Sequence, residues 1–240
     1  MISISDITNP YTRRSRLQPA LIVILPIALA TLVWFPTGVV GWGLFWSVFV
    51  ACGGTALLAQ VARDKGKGKE PMLYNNWGGK PTTRFLRHRN APNKIVLQRQ
   101  HKKLGSLIKD IHIPTREEEM SDPEMADEVY EACTKFLLEK TRDQKRFALL
   151  FEENCNYGFR RNLWGMKPLG IVSAVLGIGA ITAYIFNMAR HGVTPTPLVL
   201  ICGILNILLF LGWTFWFTTE WVRIPAEAYA DRLLSACEVL

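Results

Sequence analysis

The sequence predicts a mainly α fold: a four-span transmembrane helical domain, arranged two plus two, with a mostly helical cytoplasmic domain inserted between spans 2 and 3. Three observations predict it. Four long segments, Gln18 to Phe35, Val39 to Val61, Pro168 to Ala189 and Pro197 to Thr218, contain no charged residue, and each has the length that a helix needs to cross a hydrocarbon core, about 17–25 residues. The cations are segregated: 22 of the 28 Lys and Arg lie between Ala62 and Lys167, and Arg13, Arg14 and Arg16 stand just before the first segment. Between the two pairs, residues 62–167 combine charge with the apolar periodicity of amphipathic helices.

The cation distribution orients the chain. Lys and Arg remain on the cytoplasmic side of a membrane, so the amino terminus and the central block are expected in the cytoplasm of a cell with an inner (plasma) membrane. Residues 36–38 and 190–196 then form short external turns, and an even number of spans returns the carboxyl tail to the cytoplasm. The expected divisions are 1–61 for the amino-terminal segment and spans 1 and 2, 62–167 for the cytoplasmic domain, 168–218 for spans 3 and 4, and 219–240 for a cytoplasmic tail. A cleaved leader is the poorer reading of the first segment, because the second follows almost at once. The five cysteines include no CxxC, and reduced thiols are expected.

Along the central block, Arg63 to Lys69 reads as a Gly-rich basic linker beside a span, suited to head groups of membrane lipids. The run Tyr74 to Asn90 lacks helical periodicity and reads as an ordered loop. A helix is expected to open at Pro92 and end at Pro114, with Leu97, Leu104, Leu107, Ile108 and Ile111 inward. Thr115 with Glu118 has the form of a capping box, and Asp122-Pro123 gives a stronger helix start. Val129, Ala132, Cys133, Phe136 and Leu137 mark one buried stripe. A further helix is expected near Asp143, packing through Phe147, Leu150 and Phe151 and leading to the third span. Within that span, Gly170/Ala174, Ser173/Gly177 and Gly179/Ala183 place small residues four apart, which favours close helix packing.

Charge divides the block. Residues 62–110 hold 13 cations against 3 acids, and residues 111–167 hold 9 against 12. Aromatic rings interleaved with cations in the first half are the combination that binds single-stranded nucleic acid. The candidate binding residues are Tyr74, Trp77, Lys80, Arg84, Phe85, Arg87, His88, Arg89, Lys94, Arg99, Lys102 and Lys103. Asn156, Tyr157, Arg160, Arg161 and Trp164 are read as a gating connector, and Thr182, Asn187, Asn206 and Thr214 as pore-facing candidates. The acids from Glu117 to Glu128 read as a solvated helix start. The four histidines lack ligand spacing, and Gly78-Gly79-Lys80-Pro81 lacks the GxxxxGK[ST] spacing of a phosphate loop. No nucleophile or kinase signature occurs. No catalytic residue, metal or cofactor is therefore assigned.

The runs Asn76 to Asn90 and Phe151 to Gly165, set between paired spans, resemble those of bacterial membrane effectors of anti-phage defence, in particular the Hailong type. The resemblance implies an ion-channel effector held closed through its cytoplasmic domain by DNA oligomers, which a partner nucleotidyltransferase makes; the chain's own pattern adds a homo-oligomer and a single-stranded DNA oligomer as the expected ligand. It rests on no short diagnostic motif and carries no role to an individual residue. The expected function is an oligomeric membrane effector or channel gated by a nucleic acid or nucleotide; a membrane scaffold or partner-binding subunit is the alternative. A membrane enzyme of lipid metabolism is the third reading, with Glu152 to Asn156 as its polar candidate.

Overall fold

The computed structural model describes residues 9–36, 53–91 and 93–240. These are helical, with no strand among them. In chain order the helices are α1 (Pro10–Trp34), α2 (Gly54–Gly68), α3 (Glu70–Trp77), α4 (Pro81–Leu86), α5 (Lys94–Leu107), α6 (Arg116–Ser121), α7 (Pro123–Lys140), α8 (Ala148–Gly165), α9 (Lys167–Arg190), α10 (Pro197–Trp216) and α11 (Thr219–Ser235). The chain forms two compact units: residues 1–69 with 158–222, and residues 70–157 with 223–240. The boundaries of these units fall at 69/70, 157/158 and 222/223, so residues 223–240 join the second unit.

In the first unit, α1, α9 and α10 are long and apolar enough to cross a membrane, with mean hydropathy of 2.1, 2.1 and 2.4. The expected span from Val39 to Val61 lies largely outside the described residues; its end, from Gly54, belongs to α2. That helix continues to Gly68, so Arg63 to Gly68 is helix rather than linker. Gln60 Nε2 steadies it by donating to both oxygens of Asp64, at 3.0 and 3.1 Å.

The small residues of α9 divide by face. Gly170, Ser173, Ala174 and Gly177 are buried, whereas Gly179 has open space around it. A Cβ at Gly170 would meet the indole of Trp213, which is fully buried, and one at Gly177 would meet the Asn206 amide and the Pro26 carbonyl. The antiparallel contact of α9 with α10 is thus set by hydrogen-sized positions on α9. Trp34 Nε1 donates to Ala180 O at 3.1 Å and ties α1 to α9. Lys167 Nζ donates to the carbonyls of Thr214 and Phe217, at 3.0 and 3.1 Å, where the end of α10 leaves acceptors without helical donors.

The second unit surrounds a core of Leu86, Leu97, Leu104, Tyr130, Cys133, Leu137, Phe147, Leu150, Leu233 and Leu234. The stripe on α7 is Ala126, Tyr130, Cys133 and Leu137, so the expected set is shifted and Ala132 is exposed. Asn93 caps α5, accepting from the amides of Ile95 and Val96. The helix ends at Leu107, before Pro114, and Asp110 then takes a left-handed φ of 59°. Both proposed starts are used: Thr115 and Glu118 form a capping box for α6, and Asp122 caps α7.

The run Tyr74 to Asn90 is not a loop. It forms the end of α3, a turn through Gly78 and Gly79 at φ 74° and 125°, and α4 with Pro81 in its first turn. Three arginines hold it. Arg84 donates to Trp77 O at 2.9 Å and pairs with Glu227 at 2.5 Å. Arg87 donates to Gly78 O at 2.7 Å and makes a two-pronged pair with Asp127. Arg89 pairs with Glu119 at 3.1 Å. Glu119, only 2% exposed, also accepts from the amides of His88 and Arg89 and from Tyr130 Oη. It is therefore not part of a solvated helix start. Burial raises the proton affinity of its carboxyl, but the His88 amide, the Tyr130 hydroxyl and Arg89 outweigh burial and hold it below the usual value. The same carboxylate and burial push the Tyr130 phenol far up.

His101 lies in the same core, with Nε2 donating to Leu86 O at 2.8 Å and its ring stacked on Tyr130. Burial lowers its pKa below 6.5, and the Leu86 carbonyl opposes this only in part. A base with a depressed folded pKa binds its proton first in the unfolded chain. Its stabilisation is present above 6.5 and is lost as pH falls from there through the folded value. Glu119 and Glu227, both held below 4.5, lose theirs at lower pH. The unfolding midpoint of the second unit is therefore expected to fall in two stages, below about 6.5 and then below about 4.5. Glu119→Ala, which leaves buried donors without their acceptor, is expected to cost about 3 kcal/mol in urea unfolding at pH 7 and to flatten the lower stage.

Candidate ligand pocket

A cleft of about 270 Å³ lies within the second unit. Five helices build it. Tyr74 comes from α3; Lys80, Pro81, Thr82 and Thr83 from the start of α4; Glu131, Thr134, Lys135 and Leu138 from α7; Tyr157 from α8; and Ala226, Tyr229 and Leu233 from α11. The spacing Glu131, Thr134, Lys135, Leu138 is one face of a helix. Pro81 fixes the first turn of α4, which places Thr82 and Thr83 along the rim.

One wall is aromatic. The rings of Tyr157 and Tyr229 are stacked, 12° from parallel with centroids 6.4 Å apart. The Tyr74 hydroxyl lies 3.3 Å from that of Tyr157, which also donates to Glu70 Oε1 at 3.3 Å. The lining also carries cations: Lys80 Nζ pairs with Glu131 at 2.7 Å, both side chains well exposed, and Lys135 stands one turn along α7. A pair so exposed contributes little to stability and opens at small cost. Thr83 is 3% exposed, and its hydroxyl has no hydrogen-bond partner in the protein. Buried hydroxyls are almost always partnered, so this one costs stability where it stands.

Only part of the expected binding set meets here. Tyr74 and Lys80 line the cleft. Trp77 is buried, at 4% exposure, and Phe85 packs on the core. Arg84, Arg87 and Arg89 are held by Glu227, Asp127 and Glu119. His88 Nε2 contacts Pro114 O at 3.1 Å, and Arg99 pairs with Glu238. Lys94 and Lys102 are exposed on α5 and Lys103 is half-buried there, outside the cleft. Thr83, Thr134, Lys135 and Tyr229 were not singled out in sequence. Thr134 and Lys135 stand beside the α7 stripe, and their periodicity with Glu131 was the one signal available.

The expected gating residues lie on one helix. Asn156 and Tyr157 end the second unit's share of α8, and Arg160, Arg161 and Trp164 belong to the first unit. Arg160 donates to Trp221 O at 2.9 Å and lies over its ring, Arg161 donates to Asn162 Oδ1, and Lys69 lies over the ring of Trp164. Of the pore-facing candidates, Thr182 and Asn187 are exposed on α9, whereas Asn206 and Thr214 bond to carbonyls of their own helix, at Cys202 and Phe210.

A second hollow, of about 710 Å³, runs along residues 110–129 and carries Asp110, Glu117, Glu118 and Asp122. Its charge repels anions, which leaves the Tyr–Thr–Lys cleft as the anion-compatible cavity of the two. Among the described residues, no group of three His, Cys, Asp or Glu is placed to hold a metal, and Cys133, Cys155, Cys202 and Cys237 are buried and form no disulfide. Compared with known proteins, the chain matches no family model, no curated protein and no solved structure.

Thr83→Val exchanges an unpartnered buried hydroxyl for a methyl of the same shape. The unfolding free energy in urea is expected to stay the same or to rise by up to about 1 kcal/mol.

Proposed function

We propose that this membrane-associated chain is an effector gated by a small anionic, ring-bearing ligand, a nucleotide or the end of a single-stranded oligonucleotide, bound in the Tyr74–Lys80–Tyr157–Tyr229 cleft. The observation that supports it most is the place of Tyr157. Its ring lines the cleft, and its helix, α8, continues through Arg160 and Trp164 to Gly165, one residue before the apolar α9 begins at Lys167. A ligand that prefers one arrangement of Tyr157 shifts the population of α8 conformers, and the chain carries that preference to a membrane-crossing helix.

In this reading the chain has four spans with both termini and the helical unit in the cytoplasm of a bacterial inner membrane. It works as a homo-oligomer, because four helices of one copy enclose no wide path. The open path conducts ions, in the setting of anti-phage defence with a nucleotidyltransferase as the source of the ligand. The bases stack on tyrosines and the phosphates meet Lys80 and Lys135, a pairing of ring and cation that suits nucleotides without base-specific contacts. The arginines of the basic run contribute to the fold of the cleft and not to the ligand.

The test is ion flux from liposomes holding the full chain, measured with AMP, dAMP and short oligodeoxynucleotides. Each effective ligand is expected to change wild-type flux several-fold. Lys80→Gln with Lys135→Gln is expected to shift the half-effective concentration tenfold or more. Arg160→Ala leaves the cleft intact and is expected to change flux while leaving AMP affinity within twofold. Flux that no nucleotide alters, in a protein shown to be folded, rejects the reading.

A further inference from the structure

In the second unit, Lys80, Arg84, Arg87, Arg89 and Arg99 each meet a carboxylate. The first unit treats three lysines differently. Lys65, Lys69 and Lys167 form no ion pair among the described residues, and they are gathered at one place by a backbone contact. A Cβ on Gly165 of α8 would stand 2.7 Å from Cα and N of Gly66 and from O of Lys65 on α2. Only a glycine allows that approach. The contact carries Lys65 and Lys69, on either side of Gly66, to Trp164 and Lys167, on either side of Gly165. Lys69 Nζ lies 5.0 Å from the centre of the Trp164 ring. Lys167 Nζ is fixed by the Thr214 and Phe217 carbonyls. Asp64, the acid on the same turn of α2, is engaged by Gln60. Burial, then Lys65, then Lys167 hold the Lys69 ammonium below its usual proton affinity, so both neighbouring cations reach Lys69.

Like charges held together by a rigid backbone contact raise the free energy of the fold unless an anion joins them. The location selects which anion. Lys167 opens α9, and Ile171, Val175 and Ile178 follow on the same face of the helix, Val175 with 52% of its surface exposed and the other two half-buried. An apolar chain has a surface to lie on beside the cations. We propose that Lys65, Lys69 and Lys167, with Lys69 held in place over the ring of Trp164, bind the phosphate of an anionic phospholipid whose acyl chains lie along this face of α9. The site is separate from the ligand cleft and stands whether or not the gating proposal holds.

The full chain in neutral phosphatidylcholine nanodiscs is supplied with rising fractions of phosphatidylglycerol, and the lipid retained per chain is read by native mass spectrometry. Wild type is expected to retain phosphatidylglycerol over phosphatidylcholine. Lys65→Gln with Lys69→Gln is expected to retain it about 10- to 30-fold more weakly, from the loss of two cations near the surface. Lys65→Arg with Lys69→Arg restores retention. Soluble glycerol phosphate at the same phosphate concentration leaves the lipid in place. Equal retention by wild type and the glutamine variant overturns the proposal, and displacement by glycerol phosphate assigns the site to a free phosphate and overturns the lipid. Should the glutamine variant fail to fold, amine labelling of wild type decides: phosphatidylglycerol is expected to protect Lys69 several-fold relative to phosphatidylcholine, and equal labelling overturns the site.

Discussion

A buried carboxylate organises the second unit. Glu119 has almost no contact with water, and an ionised carboxyl in that position survives only when donors replace its hydration. Four donors converge on it: the amides of His88 and Arg89, the Arg89 guanidinium and the Tyr130 hydroxyl. They come from the segment after α4 and from α7, so satisfying one charge fixes the path of the chain between α4 and α5 against the unit's central helix. Arg84 and Arg87 repeat the device with Glu227 and Asp127 and draw the turn at Gly78 inward. The cleft exists because those pairs hold α3, α4, α7 and α11 around it.

The basic run reads differently in sequence and in the fold for this reason. Its density of cations is the pattern of a surface for phosphates, but the acids that neutralise it lie 30, 40 and 143 positions away, and no local rule connects them. Short helices of eight and six residues have little intrinsic stability in water, and the tertiary pairs that sustain α3 and α4 are invisible to periodicity. The longer elements were legible. Three apolar helices follow from length and neutrality, and the caps at Thr115 and Asp122 follow from residue type. The stripe on α7 was legible in period and displaced in phase, since Ala126 and Tyr130 belong to it and Ala132 does not.

Glycine showed the same division. Arg63 to Lys69 has the composition of a flexible linker, yet Gly66 is buried in a helix where Gly165 reaches it. Composition records that a side chain is absent, and only a second helix shows that the absence was needed for contact. The cleft was legible in two of its members, Tyr74 and Lys80, and the remainder is an assembly of five helices that no single stretch of sequence contains. The two units differ in how they treat charge. In the second, the arginines of the basic run are neutralised within the chain. In the first, lysines meet lysines beside an apolar helix.

The central claim is that the ligand meets the lysines of the cleft and that the arginines of the basic run are engaged within the fold. The salt dependence of binding tests it most directly, because each phosphate contact on a single strand adds about −0.7 to the slope of log K against log salt. Titration of a short oligodeoxynucleotide against the full chain is expected to give a slope of about −1.4, the value for two lysine contacts. A slope of about −5 or steeper, as eight cations along the basic run would produce, would contradict the account.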